Sequence, residues 1–341
     1  MEVIHARNVH TALPIALDRL NGVGVVRESR NGAVRMFPTP VTTVYERPQE
    51  RVVFWDVRDA NPFFHLMESL WMLAGHEDVG FPSLFVKRMV EYSDDGQKFN
   101  AAYGFRWRKH FGFDQLEEVV QILREDPNSR QAIVQIWDNK DLTKKTKDKA
   151  CNMLVQFQIN HRGELDMQVT NRSNDIVWGA YGANAVHFSY LHEYMASAIN
   201  VPLGQYYQIS NNFHLYDYSS AQVEGLAGYA ERSIWHGQGI PDPYKDDGLK
   251  TFPLINTALK EWKFDLQVFM ENGPITGLRD PFFTQVVTPM WHAYFAYKKG
   301  EGSARFELPL EILQQCKAED WKRAAEDWIH RRKAKAVCSG S

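Results

Sequence analysis

Cysteine is scarce in this chain: Cys151, Cys316 and Cys338 are the three among 341 residues. They show no metal-like spacing, and an odd, sparse set argues against a secreted disulfide framework. Long apolar runs are missing as well, none approaching the ~20 residues that a membrane-spanning helix needs. The opening residues, MEVIHARNVH, have neither the apolar core of a signal peptide nor the pattern of a transit peptide. Charge of one sign is also lacking. The net charge is −3, so no basic excess points to nucleic acid as the main partner. Internal repeats and low-complexity linkers are absent. The expectation is a cytoplasmic globular protein without membrane attachment.

What is present is ordinary core material, 44% hydrophobic and 13% aromatic, enough for one large core or two modest ones. The segment NPFFHLMESLWMLAG predicts a helix from Asn61 as N-cap, with Pro62 in the first turn and Gly75 as the stop. A second helix is expected over Asp114–Glu125, ending before Asp126-Pro127. Alternation then predicts strands at Gln131–Trp137, Met153–Asn160 and Glu164–Thr170, the last two joined by a turn at His161-Arg162-Gly163. In the third strand Leu165, Met167 and Val169 share a face. A buried helix over about Asn184–Asn200 follows, then a strand at Tyr206–Ser210. Trp321, Ala324, Ala325, Trp328 and Ile329 form the apolar stripe of a C-terminal helix. The fold class is α/β in the α+β sense, with a mixed or mostly antiparallel sheet. Residues 1–341 read as one catalytic domain, with an extended helical region over about 217–341.

Several residues raise chemical questions singly. Glu68 has Phe64, Trp71 and Met72 as helical neighbours. It is a surface residue beside apolar side chains or a buried functional acid, and desolvation makes the first reading the cheaper one. Cys151 follows a lysine-rich segment at the start of a strand. It is an inert small hydrophobe or a nucleophile with a lowered pKa. Arg130 and Arg172, each at a strand end, offer planar forks suited to phosphate, although a surface arginine is the commoner case. His214 and Tyr216, two apart on an extended chain, point the same way. They suit a sugar hydroxyl or a half-buried strand face.

Taken together, "HLMESLW", "AAYGFRWR", "DPNSRQAIVQIW", "ACNMLVQFQI", "NRSNDIVWG", "NAVHFSYL" and "NNFHLY" occur in this order. The chain resembles the thymidylate synthase family, which includes the pyrimidine-nucleotide hydroxymethylases, over roughly Arg30 to Tyr216. The resemblance implies a three-layer fold around a large mixed sheet, in a homodimer with shared active sites. It implies a nucleotide substrate and 5,10-methylenetetrahydrofolate as cosubstrate. Residue by residue, it implies Cys151 as the nucleophile at C6 of the pyrimidine. Arg172, Ser173, Arg30 and, from the partner subunit, Arg130 would hold the phosphate, Arg172 also lowering the thiol pKa. Tyr103 and Glu68 would serve proton transfer. Asn184 would read the base edge, and His214 and Tyr216 the 3′-hydroxyl. Asp175 and Trp71 would lie with the folate. Gly179 and Gly182 would let the backbone pass close to the ligands.

The sequence departs from the synthase pattern in ways that bear on the product. Asn152 follows the nucleophile where synthases usually have histidine. Arg130-Gln131 stands where they have two arginines, and Phe85–Tyr92 lacks their folate-stacking tryptophan. The Gly179-to-Asn184 turn is one residue longer. A looser folate wall favours water over hydride at the exocyclic methylene, hence C5 hydroxymethylation of dUMP or dCMP. The alternatives are thymidylate synthase, a dCMP C5-methylase and, in another class, a catalytically silent nucleotide- or RNA-binding homologue.

Overall fold

A computed structural model describes residues 1–226, 228–230 and 239–339. Its main sheet has six strands: β1 (Glu2–Ala6), β4 (Val41–Tyr45), β9 (Leu203–Ser210), β7 (Leu165–Asn171), β6 (Asn152–Ile159) and β5 (Ile133–Gln135), in that spatial order. β1 with β4 and β9 with β7 are parallel pairs, and the other neighbours are antiparallel, so the sheet is mixed. A second sheet runs β2 (Val25–Ser29), β3 (Gly32–Met36), β10 (Phe213–Tyr216) and β8 (Asn174–Asp175).

Alternation in β7 works as the sequence suggests: Leu165, Met167 and Val169 are fully buried. On the opposite face Gln156 and Gln158 are exposed and Gln168 half-buried. Of helices α1 (Val9–Val23), α2 (Pro62–Leu73), α3 (Gln115–Glu125) and α4 (Asn184–Ile199), α1, α3 and α4 pack on the apolar side, and α2 packs on α4. Helices α5 (Leu259–Asn272), α6 (Thr288–Lys299), α7 (Ala304–Leu313) and α8 (Glu319–Ser339) follow. α2 lies between α4 and the last helices, with Phe63 against Tyr294 and Trp328 at ring distances of 5.3 and 5.6 Å. The stripe expected in α8 is buried throughout, from Trp321 to Ile329. One apolar cluster runs from Ile4 to Ile329.

The helix boundaries follow their caps. Asn61 accepts from the Phe64 N–H at 3.2 Å, Pro62 occupies the first turn, and Gly75 takes φ +72°. Asp114 caps α3 in the same way. The strand expected over Gln131–Trp137 is cut to Ile133–Gln135. The Gln115 side chain takes both main-chain groups of Gln135, and the Ile136 and Trp137 N–H groups converge on the Met153 carbonyl. Among the described residues, no helix is long and apolar enough to cross a membrane.

Candidate active site

The four-stranded sheet, α2 and the start of α4 border a cavity of about 650 Å³. Six of the residues singled out in the sequence line it: Glu68, Trp71, Tyr103, Asp175, Asn184 and Tyr216. Glu68 and Trp71 come from α2 and the other four from separate segments, and this is how residues from 68 to 216 converge.

Cys151 adjoins the cavity through Tyr103, whose hydroxyl accepts from the Cys151 N–H at 3.3 Å. Burial pushes the thiol above its ordinary pKa. Arg172 and Arg30 pull it down, and Asp148 pushes it up. Arg172 thus pulls the thiol down, as expected of it, but desolvation outweighs that pull. Arg172 Nη2 lies 3.7 Å from the sulfur, and the same guanidinium holds the carbonyls of Ala150 and Lys149 at 2.7 and 3.0 Å. Arg172 thus fixes the loop that presents the cysteine. Ser173 follows it, half-buried. Arg30 is exposed in the turn between β2 and β3. That hairpin pairs with β10, which carries His214 and Tyr216. Their rings meet edge-on at 4.9 Å, as residues sharing one side of a strand should.

Asn184 sits in a chain of amides. It donates through Nδ2 to Asn174 Oδ1 at 3.0 Å and accepts from Asn152 Nδ2 at 3.2 Å. Asn174 donates onward to Gln208 Oε1 and Ser210 Oγ, both at 3.1 Å. Gln208 Nε2 faces the Ala180 carbonyl at 3.4 Å, and a carbonyl can only accept. Reversing one amide would set donors against donors, so the Asn184 amide is held in one orientation. Gly179 is required by this chain: a Cβ there would meet Asn174 Oδ1 at 2.5 Å. At Gly182 it would meet the Val177 carbonyl at 2.7 Å and Arg58 at 3.1 Å. Both glycines make room for protein atoms.

At the other end, Asp175 Oδ1 accepts from the Trp178 N–H at 2.5 Å, while Oδ2 is buried without a partner. Burial raises the Asp175 carboxyl and lowers the His214 imidazole, each opposed by the other's charge. A buried carboxylate oxygen left open beside a cavity of this size fits a ring with N–H donors, as a pterin has.

Arg130 is elsewhere. With Asn128 and Ser129 it borders a groove shared with Gln156, Gln158 and Gln168 on the exposed face of the main sheet. The chain does not bring it to the Cys151 site.

Residues that sequence reasoning missed complete the wall. His187 Nε2 lies 3.0 Å from Glu68 Oε2, out of line for a hydrogen bond. Its signal was its place one turn after Asn184, on the same helix face. Arg58 is buried, its Nε and Nη1 are unpartnered, and its guanidinium lies 5.0 Å from the Trp178 ring. Burial lowers its pKa to about 10. Phe85–Tyr92 supplies Val86, Arg88, Met89 and Tyr92 to the wall, and Trp178 adds an indole from another segment.

The thymidylate synthase family model matches residues 24–233. The chain belongs to the thymidylate synthase family. The matched span contains every cavity residue named above. A relative described as deoxyuridylate hydroxymethyltransferase, from Pseudomonas phage M6, is 51% identical over 335 residues, 98% of this chain and 95% of that protein. A protein so described from Bacillus phage SP01 is 40% identical over 201 residues, 55% of this chain and 52% of that protein. A third, from Delftia phage PhiW-14, is 28% identical over 251 residues, 70% and 69% of the two chains. Similarity to the first runs well past the synthase match, through the C-terminal helices.

Proposed function

We propose that this chain is a deoxyuridylate hydroxymethyltransferase, a one-carbon transferase that uses 5,10-methylenetetrahydrofolate to place a hydroxymethyl group on C5 of dUMP. The observation that carries the reading is the near full-length likeness to the Pseudomonas phage M6 protein so described. The geometry supports it. Cys151 adds to C6 of the pyrimidine, which makes C5 nucleophilic toward the methylene carbon of the folate. Arg172, Ser173 and Arg30 hold the phosphate, whose charge the exposed Arg30 is free to meet. His214 and Tyr216 bind the 3′-hydroxyl. Tyr103 and Glu68, with His187, handle the C5 proton and the water. Asp175 takes the pterin, Trp71 packs beside it, and Arg58 lies on the same wall. Loss of the C5 proton expels tetrahydrofolate, unoxidised, and leaves an exocyclic methylene; water adds to it, and Cys151 is then expelled from C6.

The fixed amide of Asn184 supports recognition of one base. A freely turning amide would serve uracil or cytosine equally, and a held one does not. The likeness to three proteins described as deoxyuridylate hydroxymethyltransferases favours uracil.

We also infer a homodimer with shared sites, in one catalytic domain of a cytoplasmic enzyme. Arg130 lies beside the exposed glutamines of the main sheet, where a second copy packed face to face would receive it. Mixing Cys151→Ala with Arg130→Ala chains should then regenerate activity through sites that have both residues intact. No recovery after verified subunit exchange would remove the shared site.

Tritium release from 5-³H-dUMP, 5-³H-dCMP or neither separates uracil chemistry, cytosine chemistry and a silent binder. Product mass with one added oxygen, and no rise near 340 nm, is the expected result. Stoichiometric dihydrofolate with a 5-methyl product would make the protein a thymidylate synthase.

A further inference from the structure

The last helix reaches the cavity wall through the loop before α2. Asp56–Arg58 form a single 3-10 turn, and Asp59 follows with φ 44° and ψ 37°. That left-handed conformation is uncommon for a residue with a Cβ. Neighbouring side chains then part. Arg58 turns inward, 1% exposed, onto the wall shared with Asp175 and Trp178. The Asp59 carboxylate turns outward to α8. It meets Arg331 Nε at 3.1 Å, Arg332 Nη1 at 2.5 Å and Lys335 Nζ at 3.0 Å, and Arg331 Nη1 also meets Asp56 at 2.8 Å. Burial raises the Asp59 carboxyl, and these cations more than reverse that.

The clamp itself is anchored. The Arg332 guanidinium lies 4.1 Å from the Trp328 ring, and Trp328 packs on Phe63 of α2. The three cations lie beyond the synthase match, which ends at 233.

We propose that α8 is a positioning clamp: by tethering Asp59 it keeps the Arg58 guanidinium on the folate side of the cavity. A buried guanidinium with unpartnered donors gains by swinging into water. With Asp59 tethered, a swing that carries the 56–59 turn with it requires breaking several ion pairs at once. The Gln222 side chain, which donates to the Arg58 carbonyl at 3.0 Å, steadies the backbone but leaves the guanidinium free. Asp59, Arg331 and Arg332 are therefore positioning residues. This inference rests on the folate reading of the cavity given above.

The test uses the full chain with Arg331→Gln/Arg332→Gln, and separately Asp59→Asn. Tetrahydrofolate and dUMP affinities are measured apart by calorimetry, and amide exchange is followed over residues 56–60 and over α2. The expected result is a folate Kd raised about tenfold and a dUMP Kd within about twofold, with faster exchange at 56–60 and none gained in α2. Adding Asp59→Asn to the double variant should cost less than it does alone, because of the Asp59 pairs only that with Lys335 is then left to lose. Arg331→Lys/Arg332→Lys should recover most of the folate affinity, since the charge returns. Equal loss of both ligands, or unchanged exchange at 56–60, overturns the clamp. If the wild-type chain binds dUMP but no tetrahydrofolate, the folate reading fails. The exchange data then still decide whether α8 holds the loop.

Discussion

The cavity wall and the helical region after Tyr216 both bury charge, and they treat it differently. In the helical region the chain supplies partners for its own carboxylates. Asp280 accepts from the N–H groups of Asn256, Thr257 and Phe282 and from the Thr257 hydroxyl, all at 2.8–2.9 Å. Asp265 Oδ2 accepts from the N–H groups of Arg279 and Asp280, both at 2.7 Å, its Oδ1 being the one oxygen of this pair of aspartates left without a partner. These carboxylates tie loops to helices. On the cavity wall Asp175 has one oxygen engaged and one open, His187 leaves its Nε2 without a hydrogen-bond partner, and Arg58 has two unpartnered nitrogens. An orphaned polar atom packed among side chains, such as Trp262 Nε1, is a structural cost. Beside a cavity of about 650 Å³ it is a place for a ligand to complete.

The sharpest way to break this comparison uses one residue type in both regions. Cys151 stands beside Arg172, whereas Cys316 is buried, with its thiol pushed up to about 12 chiefly by burial. Cys151→Ala should lower turnover by at least about 10⁴-fold while leaving dUMP binding within about tenfold. Cys316→Ala should leave turnover unchanged and cost about 1 kcal/mol of stability. Rates of dUMP turnover, dUMP titrations and thermal melts check both. If the two variants lose equal activity, the distinction between a reactive and a packed cysteine fails.

The next largest effect concerns the amide chain. Asn184→Asp sets a carboxylate oxygen against Asn174 Oδ1, which now accepts from Asn184 at 3.0 Å. Turnover of dUMP should fall about 100-fold, close to 2.7 kcal/mol in barrier, and discrimination against dCMP should narrow. Competition between labelled dUMP and dCMP reads this directly. An unchanged preference would mean that the base is read elsewhere.

Much of the wall was legible because its residues sit in short motifs. Asn61 and Pro62 announced the helix that carries Glu68, and the alternation in Leu165–Val169 announced the strand leading to Arg172. The convergence itself was not legible. The four-stranded sheet depends on β2, β3 and the two-residue β8, which have little periodicity of their own and acquire register only by pairing with β10. β4, VTTVY, is buried along its whole length, so it lacks the alternation that would have marked it. Arg58 gave no local sign of burial, since nothing in WDVRD says which neighbours a distant segment will supply, and for His187 the only sign was its place after Asn184 on a helix expected to be buried. The glycines at 179 and 182 were noticed, but their reason lies in Asn174 and Arg58, side chains that only the fold brings to them.

The smallest expected effect lies in the helical region, at Asp320. Burial raises its carboxyl to about 6, against the opposing pull of the Trp321 N–H, the Tyr244 hydroxyl and Arg51. Its oxygens accept from Tyr244 at 3.0 Å and from Trp321 at 2.8 Å. The folded chain therefore holds this proton where an unfolded aspartate, with a pKa of roughly 3.9, has lost it. A group bound to more protons in the folded state makes stability fall as pH rises, here between about 4 and 6, with no further change above. Asparagine mimics the protonated acid and retains an acceptor, so Asp320→Asn should remove this contribution. Relative to wild type, the variant should gain on the order of 1 kcal/mol between pH 4.5 and 7.5, with turnover unchanged, because Asp320 packs between Tyr244 and Trp321 and does not line the cavity. Denaturant unfolding at the two pH values measures the difference, and subtracting wild type cancels carboxylates of opposite sign such as Asp59. If wild type instead gained on the variant with rising pH, Asp320 would be held as a charge by Arg51, and the helical region would contain an ion pair in place of a buried acid.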